Sequence, residues 1–410
     1  MKILLKLLFA GLILGLTSTS FSFENTLVLP AGVRNFNLRT LYTEADNKTD
    51  EDGNIKSLAD RLWKPLRFRN VISSEPLMKQ KQLQALLIQQ GWSEDDSIGD
   101  FYAELDAQIN VWAPIFAFGI TDRITLAAAV PFYSASTDIQ VGFRTNSGAD
   151  RFIGALTDPD MSNTNAAVES ATKLADAIQR LNNKLVDNKY STFDRWNDSG
   201  IGDISLLAKA LLANGDVFKF ALTGGVTVPT GQVESPDVFT DLPFGDGQYD
   251  LFSQFTFDQQ LSSSFLINQY VRYTYQAPGR RSFRLQTAAE SIEVEKADLD
   301  FKLGDQIEAG LSLQYEQPMT GIQVLAGALR YQKYGDRFEA GEFAVESELQ
   351  RETDQLANYW QLGLGYSTLA AFRRKEFALP LLAMVQYRKQ VSSRNMPRTH
   401  FTQVDLNIFF

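Results

Sequence analysis

Along the last stretch of the chain, Thr402, Val404, Leu406, Ile408 and Phe410 alternate with Phe401, Gln403, Asp405, Asn407 and Phe409. Side chains of an extended strand point alternately to its two faces, so this segment has one apolar face and one mostly polar face. Such a strand must lie between an apolar medium and a wet one. The pattern recurs upstream: Ala103, Leu105, Ala107, Ile109 and Val111 oppose Tyr102, Glu104, Asp106, Gln108 and Asn110, and Ile124, Leu126, Ala128, Val130 and Phe132 follow after the turn GITDR. Each run is near the roughly ten residues that a tilted strand needs to cross a bilayer. No segment after the amino-terminal region approaches the ~18 consecutive apolar residues of a membrane helix.

Further hairpins follow the same rule. Ile204 to Leu212 and Phe218 to Val228 join through ANGD, placing Lys209 and Lys219 on the face opposite the apolar one. The next pair runs Leu251 to Phe257 and Phe265 to Tyr275, with Asp250, Gln254, Asn268 and Arg272 turned away from it. Ile307 to Tyr315 joins Ile322 to Ala328, and Trp360 to Tyr366 joins Phe377 to Tyr387. With Phe36 to Tyr42 and the terminal strand the count is about twelve, and single-chain bacterial barrels have an even number. Short turns near 119–123, 213–216, 259–263, 316–321 and 368–376 alternate with long connections, the longest near 44–100 and 134–200. Outer-membrane barrels alternate short periplasmic turns with longer external loops, which places both termini on the periplasmic side; a soluble sandwich has no reason to do so. The expected fold is therefore all-β: a transmembrane antiparallel up-and-down barrel of about 12 strands, with helical segments in the long external loops.

The amino terminus carries an export signal. Lys2 and Lys6 flank an apolar run from Leu7 to Leu16, followed by small residues, and a cut after Ser22 fits the small-residue preference. The expected organisation is a signal peptide over 1–22 and a single barrel domain over 23–410, placed in the outer membrane. The chain has Cys 0, so it has neither a lipid-anchored cysteine nor a disulfide framework. Its formal charge of -10 argues against nucleic-acid binding, which requires excess Lys and Arg. An aromatic content of 12% suits girdles at the two membrane interfaces.

Catalysis has little to draw on. The only histidine is His400, and the nearby Ser392 and Ser393 are the sole candidates for a wall-mounted Ser and His pair; spacing does not support it. No nucleotide fingerprint or zinc spacing is present, and the acidic runs at Asp50 to Asp52 and Glu94 to Asp96 lack a complete calcium-loop pattern. No enzyme activity, cofactor or metal is expected. The lumen-lining candidates are Glu104 and Asp106, as an ion-selective constriction or a hold for a cationic group, and Lys209, Lys219 and Arg272, which with Arg39 would pair with those carboxylates and brace the wall. In the 134–200 connection, Val168, Ala171, Leu174, Ala175, Ile178, Leu181 and Leu185 recur at helical spacing, which predicts a helix over about 166–186. It either plugs the lumen or caps the barrel. A shorter helical pattern surrounds Leu83, Leu86 and Leu87, with Trp63 and Trp92 nearby.

The last residues resemble the carboxy-terminal signal that barrel-assembly machinery reads, carried here by Val404, Leu406, Ile408 and the terminal Phe410. Several phrases together resemble the outer-membrane family of the meta-pathway of phenol degradation, a transporter-like group: LPAGVRNFNLRTLY, FGITDRITLAAAVPFY, GIGDISLLAKALL and ALTGGVTVPTGQ. The resemblance implies an outer-membrane pore with a proposed role in uptake of aromatic or other hydrophobic compounds. It transfers no catalytic or ligand residue, and the long helical insertion after Tyr133 departs from the compact pattern of the family. The expected partners are outer-membrane lipid and lipopolysaccharide, the assembly machinery and a small-molecule solute. Two functions are open: a channel or facilitator for small, hydrophobic or aromatic solutes, and a barrel-anchored surface protein that transports nothing, in which Arg280 and Arg281 would meet phosphates.

Overall fold

The computed structural model describes residues 24–60, 63–73, 77–147, 177–285 and 295–410. The expected signal peptide and the first half of the expected 166–186 helix lie outside them. Twelve strands form the barrel wall: β1 (Arg34–Ala45), β2 (Ser97–Thr121), β3 (Ile124–Ala129), β4 (Ile204–Asn214), β5 (Phe218–Val228), β6 (Asp250–Gln260), β7 (Phe265–Gln276), β8 (Gln306–Glu316), β9 (Ile322–Lys333), β10 (Gln355–Ser367), β11 (Leu381–Arg394) and β12 (His400–Phe409). Each pairs antiparallel with its neighbours. β1 takes β12 on one side, with Arg39 opposite Asp405, and β2 on the other, with Arg39 opposite Ala113. The ring is closed, so no edge strand is left to present unpaired backbone groups to lipid.

Why these segments cross the membrane is visible in their exposure. Leu206, Leu222, Phe255, Val271, Leu311, Leu362, Val385 and Leu406 all point outward. Their sequence neighbours Leu207, Thr223, Gln254, Arg272, Ser312, Gln361 and Asp405 are buried inside. Aromatic pairs mark both rims of this apolar belt. Phe36–Phe116, Phe220–Phe257 and Phe265–Tyr315 contact near the short turns, with centroids 4.7–5.0 Å apart. Trp112–Phe132 stacks at 4.2 Å and Trp360–Tyr387 tilts at 5.5 Å toward the external end. Phe410 seals the seam from the periplasmic side, its backbone exchanging hydrogen bonds of 2.8 and 3.0 Å with Arg34.

The strand count, the pairing order and the alternation of short and long connections agree with the expectation. One phase does not. β2 is 25 residues long, more than twice what a crossing requires. In its lower part Trp112, Phe116 and Phe118 are exposed while Ala113 and Ile115 are buried; higher up, Asp106, Gln108 and Asn110 hold the exposed phase and Ala107 and Ile109 the buried one. No side chain changes face; the medium outside changes from lipid to water near Val111. Glu104 and Asp106 are thus exposed on the outer phase, not in the lumen where the sequence reading placed them.

Beyond the external rim, Phe132–Thr145 pairs through its first residues with Trp196–Ile201, continuing the wall upward. Gly279–Arg284, Lys296–Lys302 and Arg337–Glu339 make a separate three-stranded sheet. With the helix Phe343–Gln350 it encloses its own core of Phe283, Leu299, Phe301, Phe338, Val345 and Leu349. A second compact unit comprises residues 59–105 and 139–194. It holds the helix Leu77–Gln90, whose Leu83 and Leu87 are buried, a Phe68–Trp92 stack at 5.7 Å, and the helix Ala177–Asp187, with Leu185 buried. Among the described residues no helix is long and apolar enough to cross a membrane.

Candidate functional site: the barrel lumen and its two ends

The inward-facing side chains form a polar network along the barrel. Across the β1–β12 seam, Arg39 Nε donates to Asp405 Oδ1 at 2.7 Å, and Gln403 Nε2 donates to Asp405 Oδ2 at 2.6 Å. Arg272 gives two hydrogen bonds to Gln254 Oε1, at 2.9 and 2.6 Å, and lies over the Phe252 ring. Tyr270 donates to Glu308 at 2.7 Å, and Arg388 donates to Gln361 at 3.2 Å. Three of the expected lumen residues fall within or beside this network: Lys209 and Arg272 are buried, and Lys219 is half-buried on the same phase as Ala221 and Thr223, opposite Asp258 in the strand register.

One part of the wall is different. Ile115, Ala117, Ala127, Ala129 and Leu207 form a buried apolar cluster on the inner side of β2, β3 and β4, with Leu29 and Phe252 packed against it. The inner wall is thus apolar on one side and polar on the other.

A feature missed in the sequence crosses the periplasmic end. The segment preceding β1 is laid across the barrel floor: Ala31 N donates to Asp122 at 2.9 Å, Leu29 N to Thr125 Oγ1 at 2.8 Å, and Thr26 N and Oγ1 to Asp258 Oδ2 at 2.9 and 2.6 Å. Asn268 binds the Glu24 carbonyl at 2.6 Å and Lys209 donates to the Asn25 carbonyl. This strap runs from β2 and β3 to β6 and β7, with Thr26 fully buried. LVLPAG has no strand period, and the only cue was the surplus of inward polar groups that needed partners.

The external end holds the loop 229–249. Its Phe244 stacks on Tyr133 at 5.5 Å, and its Thr240 carbonyl accepts from Thr137 at 2.7 Å. Tyr133 and Thr137 are on the buried phase of their strand, opposite Ser134, so the loop lies on the inner side of the raised wall.

The enclosed twelve-strand ring, its apolar outer belt with aromatic rims and its polar interior decide the class. The chain is an outer-membrane β-barrel. No family model and no curated protein sequence matches it. Among solved structures, it is similar to the COG4313 outer membrane channel from Pseudomonas putida F1, at 11% identity and a TM-score of 0.54, over 94% of this chain and 98% of that one. Lower similarities link it to the toluene transporter TodX of Pseudomonas putida, at 11% identity and a TM-score of 0.33 over 94% and 91% of the two chains. The translocator domain of the autotransporter NalP from Neisseria meningitidis has 9% identity and a TM-score of 0.38 over 98% and 96%. The first of these supports the barrel fold independently of side chains.

Other expected features are placed as follows. Val404, Leu406 and Phe410 are outward and exposed, with Ile408 half-buried on the same phase. His400 lies 3.6 Å from Glu44 and against Tyr387, whereas Ser392 bonds Asn358 at 2.9 Å and Ser393 bonds Thr49 at 2.8 Å. These contacts are not those of a nucleophile and its base. Of the two arginines that would meet phosphates in the anchor reading, Arg281 pairs with Glu234 at 3.2 Å and Arg280 is exposed, 3.6 Å from Asp300.

Proposed function

We propose that this barrel is an outer-membrane channel for small apolar solutes, aromatic ones included. The observation that carries the reading is the apolar inner cluster of Ile115, Ala117, Ala127, Ala129 and Leu207, placed beside a strap that a few hydrogen bonds hold across the floor. A solute entering from outside would rest on this apolar wall, with Phe252 and the Arg272 guanidinium offering a face for a ring. Release to the periplasm then requires the strap to shift, which costs the bonds at Asp258, Asn268 and Lys209 but no strand pairing. The shared fold with a solved outer membrane channel supports the same reading.

A second reading, a barrel that only anchors surface elements, is favoured by the external sheet, which has a core of its own. Planar-bilayer recordings separate the two. Asp258→Ala, which removes the acceptor of Thr26, should raise conductance over the parent protein; silence from both would overturn the channel and leave the anchor. Leu207→Glu should reduce passage of a monoaromatic hydrocarbon into liposomes while leaving ion conductance in place.

A further inference from the structure

We infer that the loop 229–249 is an external gate closed by a carboxylate clasp at Asp203, and that loss of protons from this clasp opens it. The inference rests on the channel reading above. Asp203 lies just before β4 and holds both ends of the loop: its Oδ1 accepts from Gly231 N at 2.7 Å and its Oδ2 from Asp246 N at 3.3 Å. The loop's neck is closed next to it, where the Gln232 carbonyl accepts from Phe244 N and Gly245 N at 2.8 and 3.2 Å. The fit leaves no spare room, since a Cβ on Gly245 would stand 2.4 Å from Asp203 Oδ1.

Two more carboxylates close in on the same point. Gln276 Nε2 spans Asp246 Oδ2 at 3.2 Å and Asp250 Oδ1 at 3.4 Å, so Asp203, Asp246 and Asp250 form one buried cluster. The groups facing it from the surrounding elements are Tyr133 from the raised wall, Arg281 from the external sheet, Lys333 from the end of β9 and Asp305 from before β8. The two cations offset the cluster only in part, because Arg281 is shared with Glu234 and Lys333 with Asp336. Asp305 is held by Lys302 at 2.7 Å. Three buried negative charges with no dedicated counter-ion among the described residues repel one another, so the closed loop requires protons among them.

The direction of the response follows. Burial pushes Asp203 up from 3.8 to about 6, against the hydrogen bonds it accepts from Gly231 and Asp246. Burial, then the charge of Asp203, push Asp246 from 3.8 to about 7. Carboxyls raised in the closed state support closure fully below their ordinary value, and that support is lost as pH rises through the folded values. The gate is therefore closed in mild acid and released above about pH 7.

The test needs a readout that does not depend on conduction, and the absence of cysteine supplies one. In the full-length protein in outer-membrane vesicles, Thr240→Cys, in the buried part of the loop, is labelled with a membrane-impermeant maleimide. Exposed Glu342→Cys corrects for thiol ionisation. The corrected rate should rise at least about tenfold between pH 5.5 and 8.5, since each pKa unit of differential protonation is worth about tenfold. Asp246→Asn should flatten this rise with the loop still shielded, because Gln276 can turn its amide to accept from the new side chain. Gly245→Ala, which displaces the Asp203 carboxylate, should give fast labelling at every pH. A flat profile in the parent protein, or an unchanged profile in Asp246→Asn, overturns the gate. If labelling follows pH while bilayers stay silent with Asp258→Ala as well, the clasp stands and the channel reading fails.

Discussion

Arg39 and Asp405 meet at 2.7 Å across the seam where the first strand pairs with the last, each side chain only 4% exposed. No hairpin turn joins these strands, so this contact links residues at opposite ends of the chain and fixes the register that closes the ring. Removing one partner of a buried pair leaves the other charge without compensation, at a cost of about 3–5 kcal/mol. Asp405→Ala should therefore lower the unfolding temperature in detergent and weaken the heat-resistant folded band on gels. The double variant Arg39→Met with Asp405→Leu should recover most of that loss, as no unpaired charge remains. Equal losses in the single and double variants would show that the seam depends on its backbone pairing alone.

The change of outer medium along β2 gives a second expectation. Leu362, midway along β10, points outward into the belt, whereas Asp106 occupies the outward phase above it. Leu362→Arg should destabilise the barrel by about 2–4 kcal/mol, the cost of arginine on the lipid face near mid-bilayer. Asp106→Arg puts the same charge into water and should cost about 1 kcal/mol at most, the worth of an exposed polar contact. Folding titrations in lipid vesicles measure both, and a comparable penalty at the two sites would place the membrane boundary elsewhere.

These two positions also show how far the sequence could be read. Leu362 and Leu406 were legible because alternation within a membrane strand has one meaning: the apolar phase faces lipid. At Glu104 and Asp106 the alternation was equally clear but its meaning had inverted, since above the membrane the apolar phase turns inward and the polar phase meets water. Residue pattern alone does not say where the bilayer ends. Lys209 and Arg272 are buried, but their partners were not legible, because Asn25 and Gln254 reach them through chain crossing and barrel register. Asp203, within the phrase GIGDIS, looked like a strand start and gave no sign of binding Gly231 and Asp246.

Lys209 tests the floor of the barrel. It is buried and donates to the Asn25 carbonyl, one of the few bonds holding the strap. Lys209→Met keeps the length and packing of the side chain but removes the donor, a loss of about 1.5–3 kcal/mol for a bond to a charged group. That corresponds to roughly a 10–150-fold larger displaced population. Single-channel records should show more frequent openings with little change in barrel melting temperature. An unchanged open probability would mean that Asp258 and Asn268 hold the strap without it.

The external loop has a second tether with the opposite response to acid. Asp237 accepts from Arg284 Nε at 3.1 Å and Lys296 Nζ at 2.9 Å. Burial pushes its carboxyl up, but the hydrogen bonds and charges of Lys296 and Arg284 outweigh this and hold it below the ordinary 3.8. A lowered carboxyl stabilises the tethered form above its unfolded value and loses that contribution as pH falls through the folded one. The tether is thus intact from neutrality down to about pH 4 and is released only in stronger acid, well below the range in which the Asp203 cluster takes up protons. Cross-linking between Glu234→Cys and Arg281→Cys, which also face each other at this tether, should be efficient at pH 5 and fall in the Asp237→Asn background. If Asp237→Asn leaves the cross-link yield unchanged, the Glu234–Arg281 contact does not depend on Asp237.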